Sequence, residues 1–407
     1  MKLRNLWPFG RKGGGTIADS HDLWLEVYGN LRESNTGKSI TLDTAMRVTA
    51  VLACVRVIAE GFAQVPFKLY RGEGRSREPA KDHPLYDVLH RRPNDWMSSF
   101  ELREMMGYHC TLAKGFTAYA NRGRNGRVVE LIPIMPHTVE VIQGADWSIK
   151  YRVTASNGST QDFPQDTIWH VRGPSWDGVV GMDLIGLARE AIGLAVAAEE
   201  SQSTLHRRGA RPSGLYSVEG TLSKDQHRLL KAWIDENYAG DSKSGSTMLL
   251  DRTAKFTSMQ MSGVDAQHLE TRRFQIEEVC RAFRVMPIMA GYSDKAATYA
   301  SAEQMFLSHV VHTLSPWYER IEQSADCQLL TKQDIEEGHY AKFTTAGLLR
   351  GALKDTAEYL GALIDRGIMT RNEARDKLEL NPLDGLDEPM TPLNMRIGNK
   401  EPENEPT

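Results

Sequence analysis

Thr36-Gly37-Lys38-Ser39 has the residue types that end a phosphate-binding loop, where backbone amides cradle phosphates, a lysine reaches the outer phosphate and a hydroxyl holds magnesium. That chemistry also needs a glycine where Arg32 stands and a buried strand before the loop, and the sequence supplies neither. His309 and His312 fall one turn apart on a helical stretch and could share a metal, but no third ligand sits at a supporting spacing and the His-Glu-x-x-His pattern is absent. Ser175, in GPSWDG, reads as a turn residue without the glycine-flanked elbow that exposes a serine nucleophile. The helix pair at 354–380 offers Arg371, Arg375 and Lys377 to a DNA groove but balances them with Glu373, Asp376 and Glu379, so packing is favoured over base reading. Enzyme readings are left without a site, and no cofactor is called for.

The elements that would carry these residues form an α+β order. Thr41 or Asp43 can cap a helix whose stripe is Val48, Val51, Leu52, Val55, Ile58, Ala59 and Phe62, ending before Pro66 and followed by a strand at 67–70. Two helices split by Pro93-Asn94-Asp95 come next, the second capped around Ser98 or Ser99. After Gly115 the period changes to two, giving short β runs at 116–120, 128–134, 138–142, 149–154 and 167–171. Ile149, Tyr151 and Val153 alternate with Lys150, Arg152 and Thr154, the mark of a sheet with one wet face.

From Gly181 onward the pattern is two long amphipathic segments, 182–208 and 265–284, around a compact excursion at 213–262. Leu184, Leu187, Ala188, Ala191, Leu194, Ala195 and Ala198 give the first segment a small-residue face that suits close helix approach; unbroken, it would span about 40 Å. The second carries Leu269, Ile276, Cys280 and Phe283 on one stripe and a balanced set of acids and arginines elsewhere. A Gly- and Ala-spotted loop at 287–300 follows, then a helix to about Leu330 bent at Pro316. A last helix pair has Gly367 as its stop signal and Thr370 with Glu373 as a capping box.

The chain has 407 residues and a net charge of −4, so no global basic field exists to hold nucleic acid, and contact with a polyanion should be local or loose. Cys54, Cys110, Cys280 and Cys327 show no C-x-x-C pairing, which fits reduced thiols rather than a disulfide frame or a zinc site. The opening MKLRNLWPFGRKGGG lacks an apolar core for a secretory signal, and the run Val48 to Val65 is interrupted by Arg56, Glu60 and Gln64, so no membrane span is expected.

Taken in order from about residue 42 to 385, the stretches AVLACVRVIAEGFAQVPFKLYR, HPLYDVLHRRPNDWMSSFELREMM, GRVVELIPIMPHTVEV, LHRRGARPSG, LETRRFQIEEVCRAFRV with ATYASAEQ after it, TLSPWYERIEQ and GLLRGALKDTAEYLGALIDRGIMTRNEARDKLEL resemble the siphovirus-type portal proteins of tailed double-stranded-DNA phages. The resemblance implies a dodecameric ring around a central channel. It implies an α+β wing (42–181), a first stem helix (182–212), a small α/β clip (213–262), a second stem helix (263–286), a tunnel loop (287–300), a wing helix and strand (301–343) and helical crown segments (344–386). Composition, rich in Gly, Ser, Asn and charge at the start and in Pro, Glu and Asn at the end, reads as a flexible N-terminal arm (1–41) and a disordered tail (387–407).

On that resemblance Tyr292, Ser293, Asp294, Lys295, Thr298 and Tyr299 face DNA, and Lys295 is the loop cation that meets phosphate. Lys224, Arg228, Trp233, Asp241 and Lys243 are candidate clip contacts, and Arg207, Arg208, Arg272, Arg273 and Glu277 are candidate stem charges. The implied partners are further copies of the chain, double-stranded DNA, the terminase large subunit, the head-tail connector, and the major capsid protein with its scaffold. The implied location is the virion, with assembly in host cytoplasm. Two rival readings are an oligomeric protein-binding scaffold that touches no DNA and a ring ATPase or nuclease of the packaging motor.

Overall fold

The structure is a computed structural model that describes residues 34–72, 77–208, 214–217, 223–225, 228–229, 232, 255–258, 262–292, 299–345, 353–378 and 380–390. In chain order the first elements are α1 (Leu42–Arg47), α2 (Thr49–Gln64), β1 (Phe67–Arg71), β2 (Glu78–Pro79), α3 (Pro84–His90) and α4 (Ser99–Leu112). Six strands follow: β3 (Gly115–Arg122), β4 (Val128–Ile134), β5 (Val139–Gln143), β6 (Ile149–Thr154), β7 (Thr160–Pro164) and β8 (Ile168–Arg172). Next come α5 (Leu184–Leu187), α6 (Arg189–Arg208), β9 (Gly214–Ser217), β10 (Lys255–Ser258) and α7 (Ser262–Phe283). The last are α8 (Tyr299–His309), α9 (Ser315–Leu329), α10 (Lys332–Glu336), β11 (His339–Phe343), α11 (Leu353–Asp365) and α12 (Arg371–Lys377).

By contact the chain divides into two units, with residues 53–184 and 283–390 in one and 34–52 and 185–282 in the other, among the described residues. The first unit is the α+β one. It holds three three-stranded sheets, ordered β11-β1-β2, β4-β3-β8 and β5-β6-β7, all antiparallel. The alternation read at 149–154 is realised: Tyr151 and Val153 pack with Ile134, Phe163 and Ile168, while Lys150 and Thr154 face solvent. Strand β7 is one that the sequence pattern did not give, because only Phe163 of its five residues is buried.

Local signals set most boundaries. Ser98 with Glu101 and Thr370 with Glu373 form reciprocal capping boxes that start α4 and α12, and Gly367, at φ 71°, ends the turn after α11. Between α8 and α9 the helix passes through one π turn, Val310–Leu314, in which Ser315 N–H bonds Val310 O. Pro316 lacks an amide donor, and the wider turn lets the helix continue past it. The guanidinium of Arg103, buried on α4, donates to Ala63 O near the end of α2 at 2.8 and 3.3 Å, and burial lowers its pKa to about 10.

Helix α9 closes the outer edges of two sheets with side chains. Glu322 and Asp326 accept the amides of Phe343 and Ala341 on edge strand β11, each at 2.7 Å. Gln328 pairs both main-chain groups of His170 on edge strand β8, accepting N–H at 2.7 Å and donating to O at 3.1 Å. Arg122 reaches the carbonyls of Gln328 and Leu329 at the helix end. An edge strand left open is a template for unwanted pairing, and here polar side chains occupy it.

That arrangement gives Glu322 and Asp326 an unusual titration. Burial pushes Glu322 up to about 7 against the Phe343 amide and Lys342, with Glu319 and Asp326 adding to the rise; burial likewise lifts Asp326 to about 6. A carboxyl with a raised folded-state pKa stabilises the fold fully below its unfolded value and loses that contribution as the pH rises through the folded value. Glu322→Gln, fixed in the neutral form and still able to accept from Phe343, should therefore be more stable than the parent by about 1–2 kcal/mol near pH 8. The gain should vanish near pH 4, and equal denaturation curves at both pH values would refute it.

Candidate functional site

The second unit is built on the two long helices the sequence indicated. The first is interrupted at Ala188, so α5 and α6 replace one unbroken rod. Ile192, Val279 and Cys280 are fully buried on these helices, while Leu187 is 69% and Leu194 40% exposed on α5 and α6 and Phe274 is 54% exposed on α7. The small-residue face read from sequence is thus partly inward (Ala188) and partly a row of uncovered leucines.

Residues 34–40, expected as part of a flexible arm, are ordered in the structure and packed on α6. Ser34 N bonds Lys38 O and Gly37 N bonds Ser34 O, closing a turn. A Cβ added at Gly193 would lie 2.5 Å from Ser34 Oγ, so only glycine admits this segment. Asn35 N donates to Glu190, and Lys38 pairs with Glu200. The composition of the segment suggested disorder, but three contacts to one helix face override it. The same contacts dispose of phosphate chemistry: Lys38 is committed to a carboxylate, the amides of Ser34, Gly37 and Lys38 are bonded within their own loop, and that of Asn35 is bonded to Glu190. A groove of about 540 Å³ beside it is lined by Arg47, Val48, Val196, Glu199 and Glu200, a setting suited to a cationic side chain rather than to an anion.

The sequence-predicted site residues fall in both units and partly outside the described residues. Ser293, Asp294, Lys295 and Thr298, with Trp233, Asp241 and Lys243, lie outside the described residues. Tyr292 is half-buried after the Pro287–Ala290 turn, its amide bonded to Pro287 O, and Tyr299 opens α8. Lys224 and Arg228 are exposed on a helical stretch, and Arg207 and Arg208 end α6. Arg272 and Arg273 are exposed and Glu277 half-buried along α7.

In the first unit, the groups that invited catalytic or metal readings are engaged in structure. Ser175 Oγ donates to Val180 O at 2.6 Å and accepts from Gly178 N, holding its own turn. His309 is buried and His312 exposed, so they cannot share an ion; burial lowers the pKa of His309. Cys110 is pushed up to about 12 by burial, and Cys327 is the exposed thiol among the four.

Asp334, Glu337 and His339 approach metal-ligand spacing, a grouping the sequence gave no sign of. Arg127 already lies 2.7 Å from Asp334 and 3.3 Å from Glu337. His339 Nδ1 faces Asp334 O at 3.1 Å. His83 accepts the Leu85 amide on Nδ1 as the cap of α3, so its proton sits on Nε2, 3.2 Å from Asp334 but not aligned for a hydrogen bond. A cation here would have to displace a guanidinium, and the cluster is a closed ion-pair network. Burial raises the Asp334 carboxyl, but the hydroxyl and amide of Thr331 and the imidazole of His83 outweigh it and hold the pKa at about 2. Burial lowers the pKa of His83.

Comparison with known proteins places this architecture. A family model described as "Phage portal protein" matches residues 49–379. The portal protein of Enterobacteria phage HK97 is 28% identical over 392 residues, covering 93% of this chain and 90% of its own length. The probable portal protein of Streptomyces phage phiC31 is 30% identical over 382 residues, 90% of this chain and 82% of its own length. Among solved structures, the neck of a native gene transfer agent particle, computed with C12 symmetry, holds a chain with the same fold: TM-score 0.60 and 23% identity, covering 89% of this chain and 99% of that one.

Proposed function

The chain belongs to the phage portal protein family, and we propose that twelve copies of it close into a ring through which double-stranded DNA is packaged and later ejected. The observation that carries this reading is the row of apolar side chains on the two long helices, Leu187, Leu194 and Phe274, which one copy leaves exposed. Neighbouring copies of the same helices would cover them, and a repeated heterologous contact closes into a ring when its rotation fits. The symmetry of the related neck supports that closure.

In this reading residues 182–212 and 263–286 are the stem, 213–262 the clip that docks the terminase large subunit and then the head-tail connector, and 344–386 the crown. The wing comprises 42–181 and 301–343, in contact with the capsid protein and its scaffold at one vertex of the virion. Residues 287–300 form the loop beside DNA, with Tyr292, Ser293, Asp294, Lys295, Thr298 and Tyr299 as its contacts. A net charge of −4 suits a conduit, because a strongly basic lumen would trap phosphates that must slide. The role is structural, and the energy comes from the docked motor.

Electron microscopy of the purified full-length chain tests it: rings with an open pore wide enough for duplex DNA are expected. Leu194→Glu should leave the circular dichroism unchanged and shift the population to protomers, since the change falls on an uncovered position. Solitary, pore-free wild-type particles at high concentration would sink the reading.

A further inference from the structure

Among the described residues, and leaving aside helix ends, the same four-residue turn is built four times: Ser34–Gly37, Gly123–Gly126, Gly144–Trp147 and Ala155–Gly158. In each, the amide of the fourth residue donates to the carbonyl of the first, at 2.8, 3.0, 3.0 and 2.9 Å. In each, the fourth residue has positive φ: 72°, 75°, 64° and 80°. Three of the four place glycine there, as the left-handed region demands. The fourth places Trp147, a bulky side chain for which that backbone is strained.

Nothing in the turn itself rewards the choice. Trp147 is 80% exposed, at the tip of the hairpin joining β5 and β6. The turn is held instead by Asp146, which accepts the Ser148 amide at 3.2 Å and hydroxyl at 2.7 Å, as Asn125 and Asn157 accept the matching amides of Arg127 and Ser159 in two of the other turns. Glycine at 147 would keep every one of these bonds and remove the strain. A rigid hairpin tip thus holds a large aromatic in water at a cost to its own fold, the pattern expected where a site outside the chain selects the residue.

The chemistry around the tip narrows the occupant. Asp146 precedes Trp147 in the turn and feels the charge of Lys150, exposed at the start of the next strand, while Arg152 on the same sheet is taken up by Asp162 at 2.9 Å and Glu140 at 3.7 Å, so acid and base balance at the tip and no net cationic surface accompanies the indole toward phosphate. We propose that Trp147 is an inter-subunit anchor: its indole inserts into the neighbouring copy of this chain, once per protomer around the ring. This rests on the ring reading above, in which every copy must present one element forward to the next.

The test uses the full-length chain with Trp147→Gly and Trp147→Phe, ring dissociation being followed by mass photometry on dilution and Tm by calorimetry on the dissociated protomer. Trp147→Gly should raise the protomer Tm by about 2–4 °C through relief of the turn. It should also raise the concentration at which rings half-dissociate by about tenfold or more, with Trp147→Phe close to wild type in assembly. A dissociation midpoint within about twofold of wild type, or a lowered Tm, overturns the proposal. If Trp147→Gly rings form normally but fail to enter capsids, the anchor faces another virion protein and the second-copy assignment is wrong. Wild-type protein that never forms rings is a separate outcome, read without any variant, and removes the ring reading together with this inference.

Discussion

Gly181→Ala should leave little folded protein. A Cβ at this position would sit 1.8 Å from Lys114 O and 2.9 Å from Gly173 N, two main-chain atoms already joined by a 3.2 Å hydrogen bond. No side chain can swing aside to make room. Gly181 also pairs with Ser175 across the base of the turn that follows β8, so its own backbone is pinned from the other side. Overpacking against movable side chains costs about 1–3 kcal/mol, and against fixed backbone the cost should reach about 4 kcal/mol or more. The readout is soluble yield and a Tm lowered by about 10 °C or more. Gly178→Ala, three residues away at φ 73° but in open space, is the control and should lose about 1 kcal/mol. A Gly181→Ala protein that melts within about 2 °C of the parent would show that this turn is not packed as described.

Asp334→Asn should be the most damaging charge change. The carboxylate is wholly buried, caps α10 through Thr331, and stands between Arg127 and His83. Removing its charge leaves a half-buried guanidinium with Glu337 alone, at 3.3 Å, a loss of about 2–3 kcal/mol near neutral pH once solvent screening is allowed for. The pH dependence identifies the cause. The folded-state pKa, about 2, lies below the ordinary carboxylate value, so the stabilisation is complete above about pH 4 and is lost as the pH falls through 2. The parent should therefore shed about 2 kcal/mol from this group across that window, and the gap to Asp334→Asn should narrow with it. A gap that stays constant from neutral pH to about pH 2 would mean that packing, not charge, accounts for the loss.

How much of this was legible in the chain follows from the range of the forces involved. Caps and turns are local, so Ser98, Thr370 with Glu373, and Gly367 could be read directly and their elements lie where expected. Strand β7 could not, since a strand with one buried residue has no period to detect. Glu322, Asp326 and Gln328 carry no local signal of their role, because only the pairing of β11 with β1 and of β8 with β3 leaves amides unpaired on the side where α9 lies. Segment 34–40 has the composition of a linker, and its order depends on Gly193 and Glu190, more than 150 residues away. The stretches matching the portal family ran from about residue 42 to 385, so the family was readable, while the roles proposed for residues such as Lys224 and Arg228 were not, because such roles are set by molecules outside the chain.

The way α9 closes two sheets carries a last consequence if, as proposed, many copies of the chain stand side by side. A carboxylate or amide seated on a strand's outer rim satisfies that rim without offering a new one, so strand-by-strand recruitment stops there. Copies crowded together during assembly are thereby denied open-ended stacking at these rims, and what remains to them is side-chain fit, which has a definite angle and can come full circle.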